Sequence, residues 1–115
     1  MFRSIKREEI QLLLASKTPV TLVEALPERY HAQGHLPGAL NLPHDKVRER
    51  APTLLPDKSA FIVVYCANTP CPNSAIAART LDALGYTNVA EYVEGKQDWV
   101  EAGLPLEASP VGKAA

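Results

Sequence analysis

What this sequence lacks narrows its possibilities before any motif is read. No stretch of its 115 residues approaches the roughly 20 consecutive apolar positions that a membrane helix needs. Neither sign of charge dominates: 12 lysines and arginines face 13 aspartates and glutamates, for a net charge of -1. Without a basic stripe, or aromatics interleaved with basic residues, neither nucleic acid nor a membrane surface is an expected partner. Cysteine is too scarce for a disulfide-stapled domain, with two in the chain. The opening segment Met1-Phe2-Arg3-Ser4-Ile5-Lys6-Arg7-Glu8-Glu9 lacks the apolar core of a signal peptide. Together these absences point to a reducing compartment, the cytoplasm, where thiols are kept for chemistry more often than for structure. A chain of this length buries a sufficient core as one domain.

What is present concentrates in one stretch, Tyr65-Cys66-Ala67-Asn68-Thr69-Pro70-Cys71, which holds both cysteines. The run before it, Phe61-Ile62-Val63-Val64-Tyr65, is β-branched and aromatic, as a buried strand is. From Asn73 or Ser74 the pattern turns helical, with Ile76, Ala77, Thr80, Leu81 and Leu84 on one stripe and Gly85 as the stop. Ser74 reads as the helix cap. A thiol between a strand's carboxyl end and a helix's amino end meets free N–H groups and the positive end of the helix dipole. Such a place is expected to lower the thiol pKa and supply the nucleophilic thiolate.

Elsewhere the pattern alternates. A first helix is expected over about residues 5–16, capped by Ser4, with Ile10, Leu13 and Leu14 inward. Thr21 to Ala25 reads as a strand, Pro27 to His31 as one helical turn, and Ala39 to Leu42 as a short extended segment. His44 to Leu55 is charged and helical, interrupted at Pro52. Asn88 to Val93 is another strand, and Lys96 to Glu101 a short helix whose Trp99 belongs to the core. This alternation predicts an α/β domain, with a mostly parallel sheet whose ligands bind at the strands' carboxyl ends. The domain is expected over residues 1–107, with a mobile tail over 108–115.

In order, Leu22-Val23-Glu24, the turn Gly34-His35-Leu36-Pro37-Gly38-Ala39-Leu40-Asn41-Leu42-Pro43, Val64-Tyr65-Cys66, Ala77-Ala78, Leu84-Gly85-Tyr86, Glu94-Gly95 with Trp99, and Ala102-Gly103-Leu104-Pro105 follow one another. That series resembles the rhodanese-like domains, from about Thr21 to Leu106. The resemblance implies a three-layer fold with a central five-stranded sheet flanked by helices. It also implies sulfur transfer: the cysteine after the central strand attacks a donor such as thiosulfate or a mercaptopyruvate-like thiol and becomes a persulfide. The outer sulfur then passes to cyanide, a thiol or a carrier protein. Cys66 matches that cysteine, and ping-pong kinetics follow from two displacements on one nucleophile. The backbone from Ala67 to Ser74 is expected to cradle the anion without metal or organic cofactor, with Ala67, Asn68, Thr69, Asn73 and Ser74 as the substrate-binding residues. The expected partners are a small sulfur donor or a protein persulfide, and a thiol or protein acceptor. A monomer or weak homodimer suffices for this.

The chain departs from the family pattern in three ways. The loop from Ala67 to Asn73 carries no charge, where the family often places an arginine or lysine for an anionic donor. It is also longer than the family's usual loop, eight residues from Cys66 to Asn73, and Pro70 and Pro72 remove two N–H donors. Glu24 and Leu26 stand where an aspartate and an arginine are common. A phosphatase of related fold wants an arginine six positions after its cysteine, and Pro72 holds that place. The rival reading is therefore a rhodanese-like sulfur-relay or regulatory module without small-molecule turnover.

Three roles are open to Cys71: an inert loop residue, a resolving thiol for Cys66, or the nucleophile itself. His31, His35 and His44 have loosely metal-like spacings, but a structural or surface role is expected, His35 shaping the turn before Pro37. Arg79 and Lys96 could bring positive charge to the loop, with solvent exposure as the default.

Overall fold

The computed structural model describes residues 2–108. In chain order these form strand β1 (Arg3–Ser4), helix α1 (Arg7–Ala15), β2 (Thr21–Glu24), α2 (Glu28–Gln33), β3 (Leu40–Asn41), a 3-10 turn (His44–Lys46), α3 (Val47–Leu54), β4 (Ile62–Tyr65), α4 (Asn73–Ala83), β5 (Val89–Tyr92) and α5 (Gly95–Glu101). The strands make one sheet in the order β1-β5-β4-β2-β3, and every pair is parallel. β4 is central because its four residues are apolar and fully buried, as a strand covered on both faces requires. Alternation along the strands then feeds two cores. Val23, Ile62, Val64 and Val89 face Ala51, Ala77, Ala78 and Leu81 of α3 and α4. Leu22, Val63, Tyr65 and Ala90 face Ile10 of α1 and Trp99 of α5. The three-layer α/β architecture agrees with the sequence.

Several local readings change. Ser4 does not cap α1; it belongs to β1, and the next N–H, that of Ile5, bonds the Glu91 carbonyl at 3.0 Å. The helix starts at Arg7 with Lys6 as its cap residue and no side-chain cap bond. Pro52 does not interrupt α3, which runs on to Leu54; the missing N–H deprives one carbonyl of a partner, while Leu55 N–H still bonds Ala51 O at 2.7 Å. Helix α4 ends as its sequence indicated. Gly85 adopts a φ of +96°, its N–H bonds Asp82 O, and Tyr86 N–H reaches back to Leu81 O, a Schellman closure that glycine permits. Of the tail, residues 109–115 lie outside the described residues.

Candidate active site

Cys66 directly follows β4, and the alternation that buries Ile62 and Val64 on the α4 side aims its side chain at the start of that helix. Its sulfur lies 3.5 Å from Ser74 Oγ and 3.4 Å from the Cys71 carbonyl, and the Ser74 N–H is turned toward it. Free N–H groups belong to any helix's first turn. Burial nevertheless pushes the Cys66 thiol up, a hydrogen bond with Cys71 adds to the rise, and the Ser74 N–H opposes it by less. The lowered pKa expected from the helix terminus is thus corrected: a fully buried sulfur loses more solvation than one helix end returns.

The loop is held from below. Lys96 N–H donates to Cys66 O at 2.9 Å, and Gln97 N–H to Ala67 O at 2.8 Å. This contact needs Gly95: its φ is +68°, and a Cβ there would lie 2.5 Å from Cys66 O. On the other side, a turn closes with Cys71 N–H on Asn68 O at 3.1 Å.

The residues expected to bind substrate divide. Ala67 and Asn68 line an apolar cleft of about 570 Å³ with Leu26, Tyr30, Val100 and Leu106. Thr69 lines a smaller groove with Pro70, Glu94, Asp98 and Glu101. Asn73 turns inward instead, its amide donating to Ala25 O at 3.3 Å. Ser74 is not the cap of α4; it sits inside the first turn, buried, and donates its hydroxyl hydrogen to Glu91 Oε2 at 2.7 Å. Cys71 is half-buried with a free thiol, and Cys66 is free as well.

Positive charge near the loop is already engaged. Lys96, expected at the surface, has a side chain only 17% exposed and binds Glu24 Oε2 at 3.0 Å. Glu24 is fully buried and accepts the Tyr65 hydroxyl at 2.8 Å on its other oxygen, while that hydroxyl takes the Leu36 N–H at 3.0 Å. Lys6 pairs with Glu94 at 2.7 Å and Arg7 with Asp98 at 2.8 Å, and Arg79 is exposed. His31 and His35 stack with ring centroids 3.7 Å apart, bonded to Ala39 O and His31 O at 2.7 Å each. His35 thus braces the turn as expected. Trp99 is in the core and donates to Pro105 O at 2.9 Å. Sequence reasoning missed Glu91; its signal was an acid inside the strand Val89-Ala90-Glu91-Tyr92, where an apolar side chain was due.

A cysteine at the carboxyl end of a central parallel strand, under a helix amino terminus, defines a class of small cysteine-centred α/β domains. The model of the rhodanese-like domain matches residues 6–102, and the chain belongs to that family. It is 36% identical over 94 residues to the HTH-type transcriptional regulator Rv0324 of Mycobacterium tuberculosis, covering 81% of this chain and 40% of that protein. It is also 36% identical over 89 residues to the thiosulfate sulfurtransferase PspE of Escherichia coli, covering 73% of this chain and 83% of that one. The crystal structure of a thiosulfate sulfurtransferase from Pseudomonas aeruginosa superposes with a TM-score of 0.83 at 26% identity, over 94% of this chain and 20% of that chain. This chain therefore spans less than half of the regulator and a fifth of the Pseudomonas protein.

Proposed function

We infer that the protein is a sulfurtransferase that carries a sulfane sulfur as a persulfide on Cys66. The observation that carries this reading is the position of the Cys66 sulfur, 3.5 Å from Ser74 Oγ in the first turn of α4, where an outer anionic sulfur would meet helix N–H groups. In the first half-reaction the thiol gives its proton to water. The thiolate pair then attacks the sulfane sulfur of the donor, forming S–S as the donor's own bond to that sulfur breaks and its remainder departs with the electron pair. In the second, the acceptor thiolate attacks the outer sulfur, and Cys66 leaves as thiolate. The similarity to a thiosulfate sulfurtransferase supports the reaction class. The engagement of Lys6, Arg7 and Lys96 by carboxylates favours a protein or low-molecular-weight persulfide over thiosulfate as the donor.

A second reading, a sulfur-relay or regulatory module, is favoured by the complete burial of Cys66 beneath an uncharged loop and by similarity to part of a transcriptional regulator. Intact-mass analysis after exposure to glutathione persulfide or thiosulfate separates the two. A one-sulfur adduct on Cys66, absent in Cys66→Ser, retained in Cys71→Ser and discharged repeatedly to a small thiol, is the expected result. Loading without small-molecule discharge supports the module. An adduct lost in Cys71→Ser but kept in Cys66→Ser would move the nucleophile to Cys71.

A further inference from the structure

Glu91 lies on β5 under the start of α4, and sulfur transfer as described gives it no part. Its Oε2 takes the hydroxyl hydrogen of Ser74 at 2.7 Å, and Cys66 Sγ lies 3.5 Å from that same hydroxyl oxygen. Among the described residues no lysine or arginine pairs with Glu91. A serine hydroxyl has one hydrogen. While a carboxylate holds it, in the stronger charge-assisted kind of bond, Ser74 can offer the sulfur only lone pairs. Lone pairs accept from a thiol and repel a thiolate. The Cys71 carbonyl, 3.4 Å from the sulfur, acts the same way. From α5, Lys96 offers Cys66 only its backbone N–H, bonded to the Cys66 carbonyl, because its ammonium is held at Glu24.

We propose that Glu91 is a positioning residue that holds Cys66 in its protonated resting form by fixing the direction of the Ser74 hydroxyl. The proposal rests on the sulfurtransferase reading for the role of Cys66 as nucleophile. Activation then consists of two linked moves: the thiol proton leaves to water, and the Ser74 hydrogen swings from Glu91 to the sulfur. The first-turn serine becomes a donor to the thiolate only in that second state.

Glu91→Gln removes the charge and lets an amide N–H donate to Ser74, which in turn donates to sulfur. The test is a titration of thiolate ultraviolet absorbance in the Cys71→Ser background, with the protein lacking both thiols subtracted. Glu91→Gln is expected to lower the midpoint by about one pH unit or more, a tenfold gain in thiolate near neutrality. In the Ser74→Ala background the same substitution should bring no further gain. A gain that survives Ser74→Ala would reduce Glu91 to a through-space charge and overturn the proposal, as would no gain. Ser74→Ala alone is a second arm, since alanine suits a helix's first turn. A midpoint that falls, as the repelling lone pairs are removed, supports the proposal; an unchanged midpoint, or a rise of about a unit, the mark of a hydroxyl already donating to sulfur, overturns it. None of these readings uses a sulfur donor. Failure here is therefore distinct from failure to load sulfur, which would remove the sulfurtransferase reading instead.

Discussion

Cys66 is caught between a helix amino end that favours its anion and a burial that disfavours it, and the burial prevails. The sign has a kinetic consequence. With the folded thiol raised, the reactive thiolate is scarce at neutral pH and gains with every step toward alkali. The rate of sulfur loading onto Cys66 should climb with pH through a midpoint above the ordinary thiol value of about 8.5. Single-turnover loading measured across pH checks this, and a rate already flat from neutrality would contradict it. At this scale the sequence showed the cysteine and not its environment. A cysteine after a β-branched run is recognisable from composition, because the strand's chemistry is local. The hydrogen Ser74 gives to Glu91 joins residues of different elements, and no spacing along the chain reports it.

Lys96 joins two elements, α5 and the end of β2, through the buried carboxylate of Glu24. Replacing it with methionine leaves that carboxylate without its cation, at a cost of about 3 kcal/mol. Thermal unfolding should fall by roughly 10 °C, and Glu24→Met/Lys96→Met should recover most of the loss. If Lys96→Met melts with the parent, the pair contributes nothing. Elements with a strong repeating pattern were legible in the sequence: β4 from its branched residues, α4 from its apolar stripe and terminal Gly85. β1 was not, since two residues carry no period, and Ser4 ahead of an amphipathic run imitates a cap. The boundary of α3 failed differently, because tertiary packing of Val47 and Ala51 carried the helix past a proline.

Taken whole, the molecule is nearly neutral, yet its charge is uneven around the cysteine loop. Glu91, Glu94, Asp98, Glu101 and Glu24 outnumber Lys6, Arg7 and Lys96, and each of these cations already has a carboxylate partner. An anionic donor approaches against that field. Thiosulfate loading should therefore quicken about twofold as salt shortens the screening length from ~30 Å to below ~10 Å. Stopped-flow loading at two ionic strengths decides it, and a slowing with salt would mean that a cation does greet the donor. The same all-parallel sheet, with every strand pair joined by a crossover, also orders events in time. No hairpin can form early, so pairing waits on the closure of long loops and folding is slow. The N–H groups that fasten the loop under Cys66 come from Lys96 and Gln97, which leave the ribosome some thirty residues after it. Each new copy thus displays its thiol to the cell, unfastened and open to oxidants, before the segment that shelters it has emerged.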